Sequence, residues 1–202
     1  MNNGMRNKTK FVLATSNPGK IQEFRDILAE LHVDFVTRND LGIDCEIEET
    51  GSTFRENALI KAKAICGITG LPSISDDSGL MVDALDGGPG VYSSSFGGEG
   101  LDGEQRCAYL LEKLRGVDNR NAKFVCTVVC AFPDGKVLAA EGECPGVIAA
   151  SPRGSNGFGY DPVFFARGMN KTMAELSNEE KNRLSHRGEA LRKLAKLLGG
   201  TT

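Results

Sequence analysis

Residues 11–31, FVLATSNPGKIQEFRDILAEL, change their period halfway along. Phe11–Ala14 is a short apolar run of strand length, after which Ile21, Phe24, Ile27, Leu28 and Leu31 recur at helical spacing. Between them lie Thr15, Ser16, Asn17, Pro18, Gly19 and Lys20. Asn17 is a natural N-cap and Pro18 suits the first helical position, so the stretch reads as strand, tight loop and helix N-terminus. Such a helix start suits an anion, because its backbone N–H groups and positive dipole end face the loop and Lys20 adds a full charge. It is not a Walker A loop: GxxxxGK[ST] is absent and Ile21 follows the lysine. The same residues would serve an ordinary strand-to-helix turn.

Outward from this unit, Val33–Thr37 reads as a second strand, and a polar stretch then carries Glu46, Glu48 and Glu49 to Gly51. Thr53 with Glu56 fits a capping box, and Phe54, Ala58, Ala62 and Ile65 form the stripe of a helix on which Asn57 and Lys61, four apart, face the same way. They read either as a solvated pair or as a ligand-facing one. Leu71–Ser75 leads as a strand into Asp76 and Asp77, and Leu80–Val82 leads away. Neighbouring carboxylates repel and resist leaving water, so the pair needs a cation, a hydrogen-bond network or solvent. A divalent metal satisfies that need, and so does a solvated turn rich in Asp, Ser and Gly.

Gly87 to Gly100 is a glycine-rich loop, and Asp102 caps a helix with Cys107, Leu110, Leu111 and Leu114 on its apolar face. Lys123–Phe132, the turn Pro133–Gly135 and Val137–Glu143 make a long hairpin. Gly154–Asp161 places Phe158 and Tyr160 between glycines, where they can stack on a base or plug a core. Ser177 with Glu180 caps a short helix carrying Lys181. Ser185–Gly188 interrupts before a last helix with Ala190, Leu191, Leu194, Ala195 and Leu198 on one face, so His186 and Arg187 fall near a helix start, where the dipole disfavours cations. Early alternation of strands and helices with a late hairpin indicates a mixed α/β fold.

The 202 residues suit a single domain spanning 1–202, with 1–9 as a polar N-terminal extension. A net charge of -3 with scattered Lys and Arg excludes a general nucleic-acid binder and favours a small anionic ligand met locally. The first apolar run is too short for a signal peptide or membrane span, so no membrane association and a cytoplasmic location are expected. Six cysteines, without a CxxC pair, read as buried free thiols, Cys126 and Cys130 sharing one strand face.

Taken together, Thr15–Lys20, Glu48–Gly51 with Phe54–Lys61, Ser75–Leu80 with Pro89–Tyr92, Gly157–Pro162 and Ser185–Gly188 resemble, in order and over nearly the whole chain, the inosine/xanthosine triphosphate pyrophosphatases. The resemblance implies a mixed α/β fold with a long curved central sheet, two helical lobes flanking a nucleotide cleft, and a homodimer. It implies hydrolysis of ITP, dITP and XTP between the α and β phosphates, giving monophosphate and pyrophosphate. By position, Thr15, Ser16, Asn17, Pro18, Gly19 and Lys20 would hold phosphates, Glu49 and Asp77 would serve a Mg2+ site, and Asp77 would be the catalytic base with Asp76 as its supporting neighbour. Ser78 would touch the nucleotide, Phe158, Gly159, Tyr160 and Asp161 would line the base pocket, and Lys181, His186 and Arg187 would complete substrate binding. Asn57 and Lys61 are added on the phosphate side. Ser155 and Asn156 depart from the family's glycine-richer loop, which stiffens the base loop here. The alternatives are a general or modified-nucleotide pyrophosphatase, and a non-catalytic nucleotide sensor.

Overall fold

A computed structural model describes residues 9–31 and 33–199; apart from Thr9, the expected N-terminal extension lies outside the described residues. β1 (Lys10–Leu13) sends Phe11 and Leu13 to one side of the sheet and Val12, with the following Ala14, to the other. α1 (Pro18–Ile27) starts as its sequence requires, with Asn17 Oδ1 accepting the Lys20 N–H at 3.1 Å and Pro18 in the first turn. β2 (Asp34–Thr37) then pairs parallel with β1. α2 (Phe54–Thr69) opens with the Thr53/Glu56 capping box and stops at Gly70, whose φ of 64° a side chain would disfavour.

β3 (Ser73–Val82) lies on the other side of β1, also parallel, and is followed by α3 (Gly103–Lys113). β4 (Asn121–Ala131) and β5 (Val137–Ile148) form the hairpin, longer than its apolar residues suggested because pairing runs on to Asn121 opposite Val147. β6 (Phe164–Ala166) follows directly on Asp161–Val163, which coils into a 3-10 turn. α4 (Asn178–Leu184) and α5 (His186–Gly199) close the chain. The sheet order is β2-β1-β3-β4-β5-β6, parallel over its first three strands and antiparallel thereafter.

Helices cover both faces. Phe24 of α1 and Leu28 at its C-cap join Leu191 and Leu194 of α5 over Leu13, Ile74, Cys126, Val128 and Cys130 on one face. Ala58, Ala62 and Cys66 of α2 cover Val129 and Ala131 on the other. Farther along the long strands, Cys107 and Leu110 of α3 pack with Leu80, Val82, Phe124, Phe164 and Met173 into a separate core. The cysteines are free, five buried and Cys45 half-buried. No helix among the described residues is long and apolar enough to cross a membrane.

β3 corrects one expectation. The aspartates neither sit in a solvated turn nor break the strand, because all ten residues of β3 pair antiparallel with β4, Asp76 opposite Val128 and Asp77 opposite Thr127. The ladder asks only for backbone groups, so polar side chains can ride through it provided each finds a partner on its own face.

Candidate active site

β1 keeps company with β3 only briefly. Val12 and Leu13 pair with Ser73 and Ile74, the Ala14 N–H reaches the Ile74 carbonyl at 2.8 Å, and the chain then turns away into Thr15. Beyond that point the β3 edge facing away from β4 is free of a neighbouring strand among the described residues, and a cleft of about 500 Å³ opens beside it. α1 and α2 leave for opposite faces here, so the cleft lies at the carboxyl end of β1 where the sheet order reverses, the usual place for a ligand in an open α/β sheet. α3 closes its far side with Gly103 and Arg106.

Consecutive strand residues point to opposite faces, and this separates the two aspartates. Asp77 faces α2: Asn57 Nδ2 donates to Oδ2 at 3.3 Å, and Lys61 Nζ lies 3.3 Å from Oδ1 and 2.6 Å from Glu49 Oε2. Asn57 is itself fixed, its Oδ1 accepting the Gly51 N–H at 2.8 Å. The helical pair Asn57 and Lys61 is therefore turned inward rather than solvated. Burial raises the Asp77 carboxyl above the ordinary aspartate range, with Lys61 opposing and the Glu49 charge adding. Asp76 faces α1 and α5, with its Oδ2 3.0 Å from both Lys20 Nζ and Arg187 Nε. Burial works to raise its carboxyl, but the two cations hold it well below the usual range.

Arg187 is held by partners within the fold. The guanidinium needs no ligand to explain it, being almost fully buried with NH1 on Glu23 Oε2 at 2.5 Å and NH2 on Ser78 Oγ at 2.8 Å, besides Asp76. These carboxylates offset the unfavourable helix-start position noted in the sequence. Glu23 also takes Lys181 at 2.9 Å, and Lys181 reaches Asp161 Oδ2 at 2.6 Å, where the Phe158 N–H also donates. Sequence reading missed Glu23, although its spacing of three from Lys20 placed both on one side of α1. His186, buried and stacked on Phe124 at 4.7 Å, is held neutral by burial and by the Arg187 and Lys181 charges, and its Nδ1 meets no partner.

The aromatic loop divides. Tyr160 belongs to the core, its OH donating to the Ser93 carbonyl at 2.9 Å. Phe158 forms a shelf under Lys181 and Arg187, 4.4 and 5.4 Å from its ring centre. Its ring crowds Gly19 so closely that a Cβ there would sit 2.7 Å away, which brings the Phe158 loop onto the α1 N-terminus. Asn17, Lys20, Glu49, Asn57, Lys61, Asp77, Ser78, Phe158, Gly159, Tyr160, Asp161, Lys181, His186 and Arg187 all border the cleft. Thr15, Ser16, Pro18 and Gly19 shape the loop beside it: Thr15 Oγ1 accepts the Asn17 N–H at 3.2 Å. Asp76 lies behind.

Among the described residues no group of three or more His, Cys, Asp or Glu side chains is assembled for a metal. Glu49 and Asp77, however, already share one cation, the Lys61 ammonium. Two carboxylates and no nitrogen or sulfur donor fit magnesium, which takes one or two carboxylates and fills its shell with water and phosphate oxygens.

A helix N-terminus with a lysine, an acidic oxygen pair and an aromatic shelf at a sheet switch point define an α/β protein fitted to a phosphorylated ligand carrying a ring. The chain belongs to the Ham1 family, whose model matches residues 11–197. It is 45% identical over 189 residues to the dITP/XTP pyrophosphatase of Bacillus subtilis, covering 93% of this chain and 96% of that protein. With the dITP/XTP pyrophosphatase of Thermus thermophilus the identity is 51% over 187 residues, covering 92% and 89%. The solved structure of a HAM1 protein from Coxiella burnetii superposes with a TM-score of 0.87 at 41% identity, covering 95% of this chain and 99% of that one.

Proposed function

We propose that this protein hydrolyses the non-standard purine nucleoside triphosphates ITP, dITP and XTP to the monophosphate and pyrophosphate, with magnesium, as a cytoplasmic homodimer that cleanses the nucleotide pool. The observation that carries the reading is Asp77: a carboxylate on the open edge of β3, raised by burial, sharing a cation with Glu49 and sitting across from the α1 N-terminus. Relatives that match almost end to end are named for this reaction.

The residues divide the work. The α1 N-terminus and Lys20 hold phosphate oxygens, and Lys61 neutralises charge as it develops on the transferring group. Asp77 orients the attacking water and takes its proton. Magnesium, when bound at Glu49 and Asp77, supplies Lewis-acid charge neutralisation to the phosphates. Phe158 offers its ring to the base. Neutral His186 presents one N–H, Arg187 keeps two N–H groups beyond its three bonds, and Lys181 keeps one, so the pocket is rich in donors. Donors suit the 6-keto oxygen of hypoxanthine and xanthine, and face adenine's 6-amino group with no acceptor.

Pyrophosphate release should be measured over a panel of ITP, dITP, XTP, GTP and ATP, with magnesium and with chelator. Release from the inosine and xanthosine nucleotides alone, abolished by chelation, is expected. No release from any nucleotide would leave a sensor, and equal rates across the panel would defeat the selectivity. Sedimentation of the purified chain reads the dimer.

A further inference from the structure

The cations of the cleft are not equally free. Lys20 is spent on Asp76, Lys61 on Glu49 and Asp77, Lys181 on Glu23 and Asp161, and Arg187 on Asp76 and Glu23. Four cations thus meet five carboxylates, Asp76, Glu49, Asp77, Glu23 and Asp161, and the group as a whole is negative by one. A nucleoside triphosphate brings several more negative charges into that surrounding. Positive charge beyond these four paired cations would help to hold it.

Arg106, in the first turn of α3, borders the same cleft beside Gly103, Gly159 and Tyr160. Among the described residues it makes no ion pair. NH2 donates to the Leu101 carbonyl at 2.6 Å, which fixes the side chain, while Nε is buried and meets no acceptor. A buried donor without a partner is costly in a folded chain and asks for an explanation. A guanidinium presents a planar fork of donors that matches phosphate oxygens.

We propose that Arg106 is a substrate-binding residue that contacts the phosphate chain of the bound nucleoside triphosphate, adding positive charge to that of the four paired cations. The proposal rests on the nucleotide reading of the cleft given above. It makes the far wall, built by α3, a part of the site alongside the loop at Lys20.

Equilibrium binding of inosine mono-, di- and triphosphate to the wild-type chain, Arg106→Gln and Arg106→Lys, without added magnesium, separates the contributions. Arg106→Gln is expected to weaken the triphosphate about 10- to 100-fold and the monophosphate much less, and in steady state the loss falls more on KM than on kcat. A loss of the same size for all three ligands, or none, overturns the proposal. Where Arg106→Gln does not fold, Arg106→Lys is read by the ratio of triphosphate to monophosphate affinity: a smaller ratio than wild type supports the contact and an unchanged ratio overturns it. A wild-type chain that binds these nucleotides without hydrolysing them would sink the proposed reaction and leave the Arg106 comparison standing.

Discussion

Asp76 and Asp77 are chemically identical neighbours on one strand, yet the two faces of β3 put them to different uses. Asp77 faces α2, is 13% exposed, and meets one ammonium together with a second carboxylate. Asp76 faces α1 and α5, is fully buried, and is clasped by Lys20 and Arg187. Burial works to raise both carboxyls; at Asp77 the Lys61 ammonium does not offset it, while at Asp76 Lys20 and Arg187 more than do. The difference shows that the pair is not a pair: the strand pleat sends the charges apart, and each face sets its own electrostatics. Asp76 joins Lys20 of α1 to Arg187 of α5, a structural tie between the two helices.

The comparison breaks most visibly at Asp77. Asp77→Asn keeps the shape and should lower kcat by about 100- to 10,000-fold, the range expected for losing a general base, with an unchanged melting temperature. Near-normal turnover would remove Asp77 from the proton-accepting role. Asp76→Asn should do the reverse in kind, leaving Arg187 and Lys20 short of a carboxylate and destabilising the fold by about 3–5 kcal/mol, read by urea unfolding. A variant that melts like wild type would show that Glu23 and Ser78 suffice to hold Arg187.

The pH dependence sharpens the contrast. Asp76 and Glu23 are buried, which raises them, but their cation partners win and both lie below their ordinary values when folded. A depressed carboxyl contributes stability that is fully present above its unfolded value, about 3.9 for Asp and 4.3 for Glu, and that drains away as pH falls toward the folded value. Urea unfolding from pH 6 down to pH 2 should therefore lose stability steeply on the acid side, and Asp76→Asn should flatten that slope. An unaltered slope would place the acid sensitivity elsewhere. The smallest effect is expected from Tyr160→Phe, which removes the hydrogen bond to the Ser93 carbonyl and should cost about 1 kcal/mol. A large loss of substrate affinity without that modest loss of stability would return Tyr160 to the base pocket.

Local signals were the legible part of this chain. The Asn17 cap, the Thr53/Glu56 and Ser177/Glu180 boxes and the turn at Pro133–Gly135 all act within a few residues, and each appears where the sequence put it. The strand through Asp76 and Asp77 was less legible, because two carboxylates look like a turn until β4 is known to pair with every residue of β3. Glu23 and Arg106 were not singled out at all. A charge on a helix looks solvated unless one knows what packs against it, and their partners or lack of them depend on residues up to 164 positions away.

By itself, then, the sequence determined the order of strands and helices and the helix start after Asn17, since these rest on periodicity and caps carried in the chain, whereas the residues expected at the site came from the resemblance. Only the tertiary structure decided which face each aspartate serves, which cations of the cleft are paired with carboxylates and that Arg106 makes no ion pair among the described residues. Those facts follow from burial and from pairing between distant residues, and a carboxylate's chemistry is fixed by what surrounds it rather than by its neighbour along the chain.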